Sequence, residues 1–119
     1  MPGMARVYYT NSGSEANEKA FKMVRQISHK HYGGKKNKIL YRERDYHGST
    51  IATMSAGGQD ERNAQYGPFT PGFKLLPYGD IDALRAAMNP NVVGVLIEPI
   101  QGEGGIRSLG DSALREVRA

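Results

Sequence analysis

Three short stretches hold the residues whose types and spacing could do chemistry. The first is Ser12-Gly13-Ser14, set between the apolar run Val7-Tyr8-Tyr9-Thr10 and a helix-like segment. Ser12 followed three residues later by Glu15 is a capping box, and that alone accounts for a helix starting there. A cap does not need Gly13 and Ser14 as well, and glycine in a first turn costs about 1 kcal/mol relative to alanine. Small residues at a helix start also leave unpaired N–H groups, a partial positive charge and two hydroxyls open to an anion. Both readings stand on the local pattern. The second stretch is "RDYHGST", residues 44–50, where Tyr46 and His47 follow a strand-like run. Ligands in open α/β sheets bind at the carboxyl ends of strands, so an aromatic ring there could lie against a flat ligand. The plainer reading is that Tyr46 packs in a core and His47 is a hydrogen-bonded bystander. The third is "LIEPIQGEGG", residues 96–105, in which Glu98 ends an apolar run and Gln101 and Glu103 follow on a glycine-rich loop. A carboxylate in such a place is poorly solvated and needs a partner.

All three stretches come just after a strand-like segment, so one sheet rim would gather them, and convergent polar groups on one rim argue for a ligand site. His29 and His31 are two apart on a helix and point to different faces, so the three histidines make no metal-ligand set.

The elements that must position these residues alternate between strand-like and helix-like, which predicts an α/β layered fold. Val7–Thr10 reads as a short strand. Ala16, Ala20, Met23, Val24 and Ile27 then recur at helical spacing, and Gly33-Gly34 is a ready stop. Lys38–Arg42 reads as a second strand, residues 47–58 as a short helix stopped by Gly57-Gly58, and residues 57–72 as a long loop. Phe73–Leu76 is a third strand, and "GDIDALRAAM" is an amphipathic helix capped by Asp80. The unbroken apolar run Val92–Ile97 predicts a strand interior to a sheet and covered on both faces. A last helix starts at Asp111 or Ser112 and runs to Ala119, an uncapped end that suggests truncation.

At 119 residues one domain is expected, and the chain carries no cysteine. No disulfide framework, thiolate chemistry or cysteine-based zinc site is therefore available, in agreement with a cytoplasmic setting. No window approaches the roughly 18 apolar residues of a membrane span, so no membrane partner is expected. Much of the net charge of +4 lies in "HKHYGGKKNK", residues 29–38. A nucleic-acid surface is one reading, but cations at a helix C-terminus beside a glycine stop are better explained as a solvated face.

Taken in order, "TNSGSEANEKAFK", "YRERDYHGSTIATMSAGG" and "VLIEPIQGEGGI" resemble the class-III pyridoxal-phosphate-dependent aminotransferases of fold type I. The resemblance runs from about Arg6 to Ile106. Through about Pro71 it is closest to the taurine-pyruvate and other omega-amino-acid aminotransferases. "PGFKLLPYGDIDAL" and the loop after it look more like the ornithine and acetylornithine enzymes. The resemblance implies that the chain is part of a large domain, a partial three-layer sandwich with a mostly parallel sheet, cut at both ends. It implies that Ser12, Gly13 and Ser14 hold the phosphate of pyridoxal phosphate, that Tyr46 stacks on its ring with His47 completing the motif, and that Glu98 supports the acid bound to the pyridine nitrogen. Glu103, beside Gln101, matches a gate residue that lets an amino donor and a 2-oxo acid share one pocket. The Schiff-base lysine and the pyridinium aspartate are expected beyond Ala119, so this chain supplies no catalytic residue and should not transaminate alone. A non-catalytic phosphate- or nucleotide-binding module is the alternative. Relatives are typically homodimers, and a sheet lacking strands predicts association through its edges. Residues 107–112, "RSLGDS", lack the proline-containing turn usual in the family, which leaves the course of that loop open.

Overall fold

A computed structural model describes residues 3–58 and 60–119. Its centre is β1 (Lys38–Arg42), whose residues Ile39 to Arg42 are all buried. β2 (Phe73–Leu76) and β3 (Val92–Val95) lie on either side of it, both parallel to it, in the order β2-β1-β3. Ile39 to Arg42 pair in step with Phe73 to Leu76, while the β3 register slips by one residue between Lys38 and Ile39.

Side chains alternate across a strand, and β1 uses that alternation to serve two cores. Ile39 and Tyr41 face Phe21 and Ala56, with Val24, Ala52 and Phe73 packed around them, so α1 (Gly13–Tyr32) and α2 (Ile51–Met54) cover one face. Leu40 faces Leu76, Ala87 and Val92, with Leu84 alongside, which puts α4 (Ile81–Ala87) on the other. The expected α/β sandwich of three layers is therefore present. α3 (Asp60–Asn63) and a 3₁₀ turn (Ala64–Tyr66) lie within the stretch expected to be loop. β4 (Ile100–Gln101) and β5 (Arg107–Ser108) form an antiparallel pair, and α5 (Asp111–Arg118) ends the chain. The pairing of Gln101 with Arg107 gives the open segment its course: it folds back and holds residues 102–106 as the tip of a hairpin.

α1 begins and ends as expected, with Ser12 as N-cap and Gly33 left-handed at its C-cap. Its inward stripe is different. Ser14, Asn17, Phe21, Val24 and Ser28 face the protein, whereas Met23 and Ile27 are exposed. The bulky Phe21 sets the helix rotation against Phe73, their rings 5.1 Å apart edge to face. Val7 to Thr10 form no strand: Tyr9 is 87% exposed and the segment has no ladder partner among the described residues, and β-formers without a neighbour gain little. The run after Val92 is likewise shorter than expected. Only Val92–Val95 pair, Val93 to Ile97 are half-buried, and β3 is an edge strand within this chain rather than an interior one. Apolar composition favours burial, but a ladder also requires a second neighbour, and β1 alone supplies one here.

Leu40 is fully buried at the centre of the second core. Leu40→Ala should lower the unfolding free energy by about 2–5 kcal/mol in urea titrations, whereas Ile27→Ala, on the exposed side of α1, should cost well under about 1 kcal/mol. Equal costs would contradict this placement of the core.

Candidate functional site

At the start of α1, Ser12 is extended and its Oγ accepts from Glu15 N at 3.2 Å, while its carbonyl accepts from Ala16 N. The Glu15 carboxylate reaches one residue further back than a strict capping box, to Asn11 N at 2.8 Å. These bonds use the N–H groups of Glu15 and Ala16. The N–H groups of Gly13 and Ser14 lie in the first turn, where a helix offers them no acceptor of its own. A Cβ on Gly13 would meet nothing within 4 Å, so no neighbour in the chain demands glycine there.

The loop after β1 is laid across that first turn. Ser14 Oγ accepts from Ser49 N at 3.0 Å, and Asn17 Nδ2 donates to the His47 carbonyl at 2.7 Å. Gly48 makes the approach possible: it has φ of 134°, and a Cβ there would fall 2.9 Å from Ser14 Cα. Tyr46, one residue before His47, is 47% exposed, with its hydroxyl 3.0 Å from Ser49 Oγ. Its N–H donates to Glu98 Oε2 at 2.9 Å, and Glu98 Oε1 accepts from Gly102 N at 3.3 Å. The partners that Glu98 needs are thus two backbone N–H groups. Ser14, Tyr46 and Glu98 stand in one hydrogen-bonded chain, and beside it opens a cavity of about 280 Å³ lined by Tyr46, Ser49, Arg62, Tyr66 and Glu103. Arg62 and Tyr66 come from the segment expected to be loop, and nothing in their local pattern marked them.

Behind this rim lies a buried polar cluster that the motifs did not announce. Asp45 is fully buried. Arg42 Nη2 donates to its Oδ1 at 3.0 Å and Arg42 Nε to its Oδ2 at 3.3 Å, in the two-pronged geometry natural to a guanidinium and a carboxylate. His47 is also buried, with Nε2 at 3.6 Å from Asp45 Oδ2. Burial raises the Asp45 pKa, but the nearby His47, the hydrogen bonds from Arg42 and Gln101 and the Arg42 charge outweigh it and hold the carboxyl below its ordinary value of 3.8. Gln101, expected at the gate beside Glu103, turns inward instead. It is fully buried, and its Nε2 donates to Asp45 Oδ1 and to the Glu43 carbonyl, each at 2.8 Å. The one available signal was the charged run "YRERD" at the end of a buried strand, where a charge must find a partner.

The turn that holds Asp45 is itself clasped. Arg44 N donates to the Gly58 carbonyl at 2.8 Å, and Gly58 N to the Asp45 carbonyl at 3.0 Å. A Cβ on Gly58 would collide with Arg42 O and Arg44 N, so this glycine serves a close backbone approach as well as the end of a helix.

A layered parallel sheet with a helix start, an aromatic ring and an acid at one rim is the arrangement that the resemblance implies. The family model described as "Aminotransferase class-III" matches residues 1–119. The chain belongs to the class-III aminotransferases. It is 51% identical to a hypotaurine/taurine–pyruvate aminotransferase of Paracoccus denitrificans over 89% of its own length and 27% of the relative's. With acetylornithine aminotransferase 1 of Pseudomonas syringae pv. tomato the identity is 45%, over 85% of this chain and 25% of that one. Among solved structures, ornithine aminotransferase of Toxoplasma gondii superposes with a TM-score of 0.83 at 35% identity, over 92% of this chain and 27% of that one. An aminotransferase from Vibrio fluvialis in its PMP-bound form gives 0.83 at 28%, over 98% and 31%. The chain spans about a quarter of the length of the curated relatives it matches.

The depressed Asp45 pKa sets a pH dependence. A carboxyl whose folded pKa is below its unfolded one adds stability that is fully present above about 3.8 and is lost as pH falls through the lower folded value. Asp45→Asn should therefore be less stable than the parent at neutral pH, with the gap closing below pH 3.8. Urea midpoints for both proteins across that range check this, and a gap that widens on acidification would refute it.

Proposed function

We propose that this chain forms the phosphate and ring side of a pyridoxal-phosphate site, as part of the large domain of an aminotransferase. The parent reaction transfers an amino group from an omega-amino compound to a 2-oxo acid. The observation that carries this reading is the chain of bonds from Ser14 through Ser49 and Tyr46 to Glu98, because it sets an anion-binding helix start, an exposed ring and an acid within one site.

The residues fit the group. Gly13 and Ser14 offer N–H groups at the positive end of a 20-residue helix, and the Ser12 and Ser14 hydroxyls add polar contacts, a donor set suited to a phosphate dianion. Gly13 leaves room for the anion to come close. The half-exposed Tyr46 ring is held at its hydroxyl by Ser49 and at its backbone by Glu98, so a planar ligand meets a surface already oriented. His47, next in sequence, is buried, its carbonyl fixed by Asn17. Glu98 keeps negative charge near the site, which favours a protonated ring nitrogen held through a further acid. When bound, pyridoxal phosphate supplies the electron sink for the carbon that exchanges its amino group. Glu103 lines the adjacent cavity with Arg62, and as the gate its carboxylate would pair with a mobile arginine from elsewhere in the parent enzyme so that an amino donor and a 2-oxo acid share one pocket.

The amino donor we assign is of the omega-amino class, since relatives named for taurine and for acetylornithine are both close to this chain. For the full-length parent enzyme we propose a homodimer, and the absence of cysteine fits a cytoplasmic setting. No helix among the described residues is long and apolar enough to cross a membrane.

Titration of the chain with pyridoxal 5′-phosphate tests the reading. Saturable binding should appear, competed by inorganic phosphate. Ser14→Ala should weaken both ligands by about tenfold through one lost polar contact. Tyr46→Leu should weaken pyridoxal phosphate alone. Binding of a nucleoside phosphate in preference to pyridoxal phosphate would favour the non-catalytic module instead.

A further inference from the structure

Glu98 grips the N–H groups of Tyr46 and Gly102, one on each of two rim loops, but nothing in that grip alone fixes where its own loop stands. The fixing comes from below. Arg42 Nη2, while paired with Asp45, also donates to the Glu98 carbonyl at 2.5 Å. Gln101 Nε2, from the second loop, donates to Asp45 Oδ1 at the same time as to the Glu43 carbonyl of the first. Asp45 thus accepts from the end of β1 and from the hairpin, and it immediately precedes Tyr46. Arg42, Asp45, His47 and Gln101 are each more than nine-tenths buried, so water does not compete for these bonds. The phosphate end is tied separately, through Ser14 to Ser49 and Asn17 to His47.

We propose that Asp45 is a positioning residue, which registers the loop of residues 43–47 against that of residues 98–102 and thereby sets the tilt of the Tyr46 ring and the height of the Glu98 carboxylate. In its bearing on cofactor this rests on the reading of Tyr46 and Glu98 as ring-side residues. The alignment of the loops does not. Removing the charge at Asp45 releases both Arg42 and Gln101 while leaving the Ser14 and Asn17 bonds in place, so the ring side loosens and the phosphate side does not.

Two measurements on the chain decide this. The first needs no ligand: amide hydrogen exchange in Asp45→Asn, read at Tyr46 and Gly102 against Ser49. The two amides held by Glu98 should exchange about tenfold faster, with Ser49 unchanged. Equal acceleration at all three would mean ordinary loss of stability, and no change at any would mean that Asp45 positions nothing; either overturns the proposal. The second compares inorganic phosphate with pyridoxal 5′-phosphate. Asp45→Asn should keep its phosphate affinity, lose about tenfold for pyridoxal phosphate, and show a weaker induced circular dichroism of the bound ring. A parallel loss of both affinities, or no loss of either, counts against it. Should Asp45→Asn not fold, Gln101→Leu severs the link to the hairpin, keeps the Arg42–Asp45 pair, and must produce the same split. A parent chain that binds neither probe refutes the cofactor reading, and the exchange data alone then judge the positioning role.

Discussion

The ion pair of Arg42 and Asp45 is the constraint around which this rim is organised. A buried guanidinium and a buried carboxylate each lose hydration that their mutual attraction only partly returns, and the balance depends on geometry and on further hydrogen bonds. Here those bonds come from elsewhere in the chain: Gln101 donates to the carboxylate, and Arg42 in turn donates to the Glu98 carbonyl. Those two further bonds form only when residues 43–47 and 98–102 lie together, so assembling the rim and compensating the charges are one event.

The division of labour between the two faces of the sheet follows from β1. Ile39 and Tyr41 pack under α1, the helix whose first turn carries Ser12, Gly13 and Ser14, while Leu40 packs under α4 on the opposite side. Arg42, last in the strand, passes from hydrophobic packing to polar chemistry, its guanidinium also lying over the Tyr78 ring at 5.3 Å. Ile39 to Arg42 therefore anchor both cores and begin the candidate site. The shared stripe of α1 does likewise: Phe21 and Val24 pack on the sheet, and Ser14 and Asn17, two turns and one turn before Phe21, hold the loop that carries Tyr46.

Much of this was legible in local patterns, wherever the physical cause is local. The cap at Ser12, the left-handed stop at Gly33, the Asp80 cap of α4 and the strands at Lys38–Arg42 and Phe73–Leu76 all stand where residue type and spacing put them. Hydrogen bonds within a turn and side-chain alternation act over a few residues, so a short window contains them. Two of the three motifs, at Tyr46 and at Glu98, do follow strands, and Ser14 joins them at one rim through the start of α1 although the stretch before it forms no strand.

What tertiary structure alone decided was partnership. Among the described residues, Val7 to Thr10 have the composition of a strand and no ladder, and the apolar run after Val92 has one neighbouring strand where its composition suits two. Gln101 and Glu103 are two residues apart in one loop, yet the first is sealed against Asp45 and the second lines a cavity with Arg62. Gly58 has the local look of a helix stop, while the backbone pressed against it belongs to residues 42–44. Whether a polar side chain is gate or buttress, and whether a β-former becomes a strand, depends on atoms brought close from dozens of residues away, and no short stretch of chain encodes that distance.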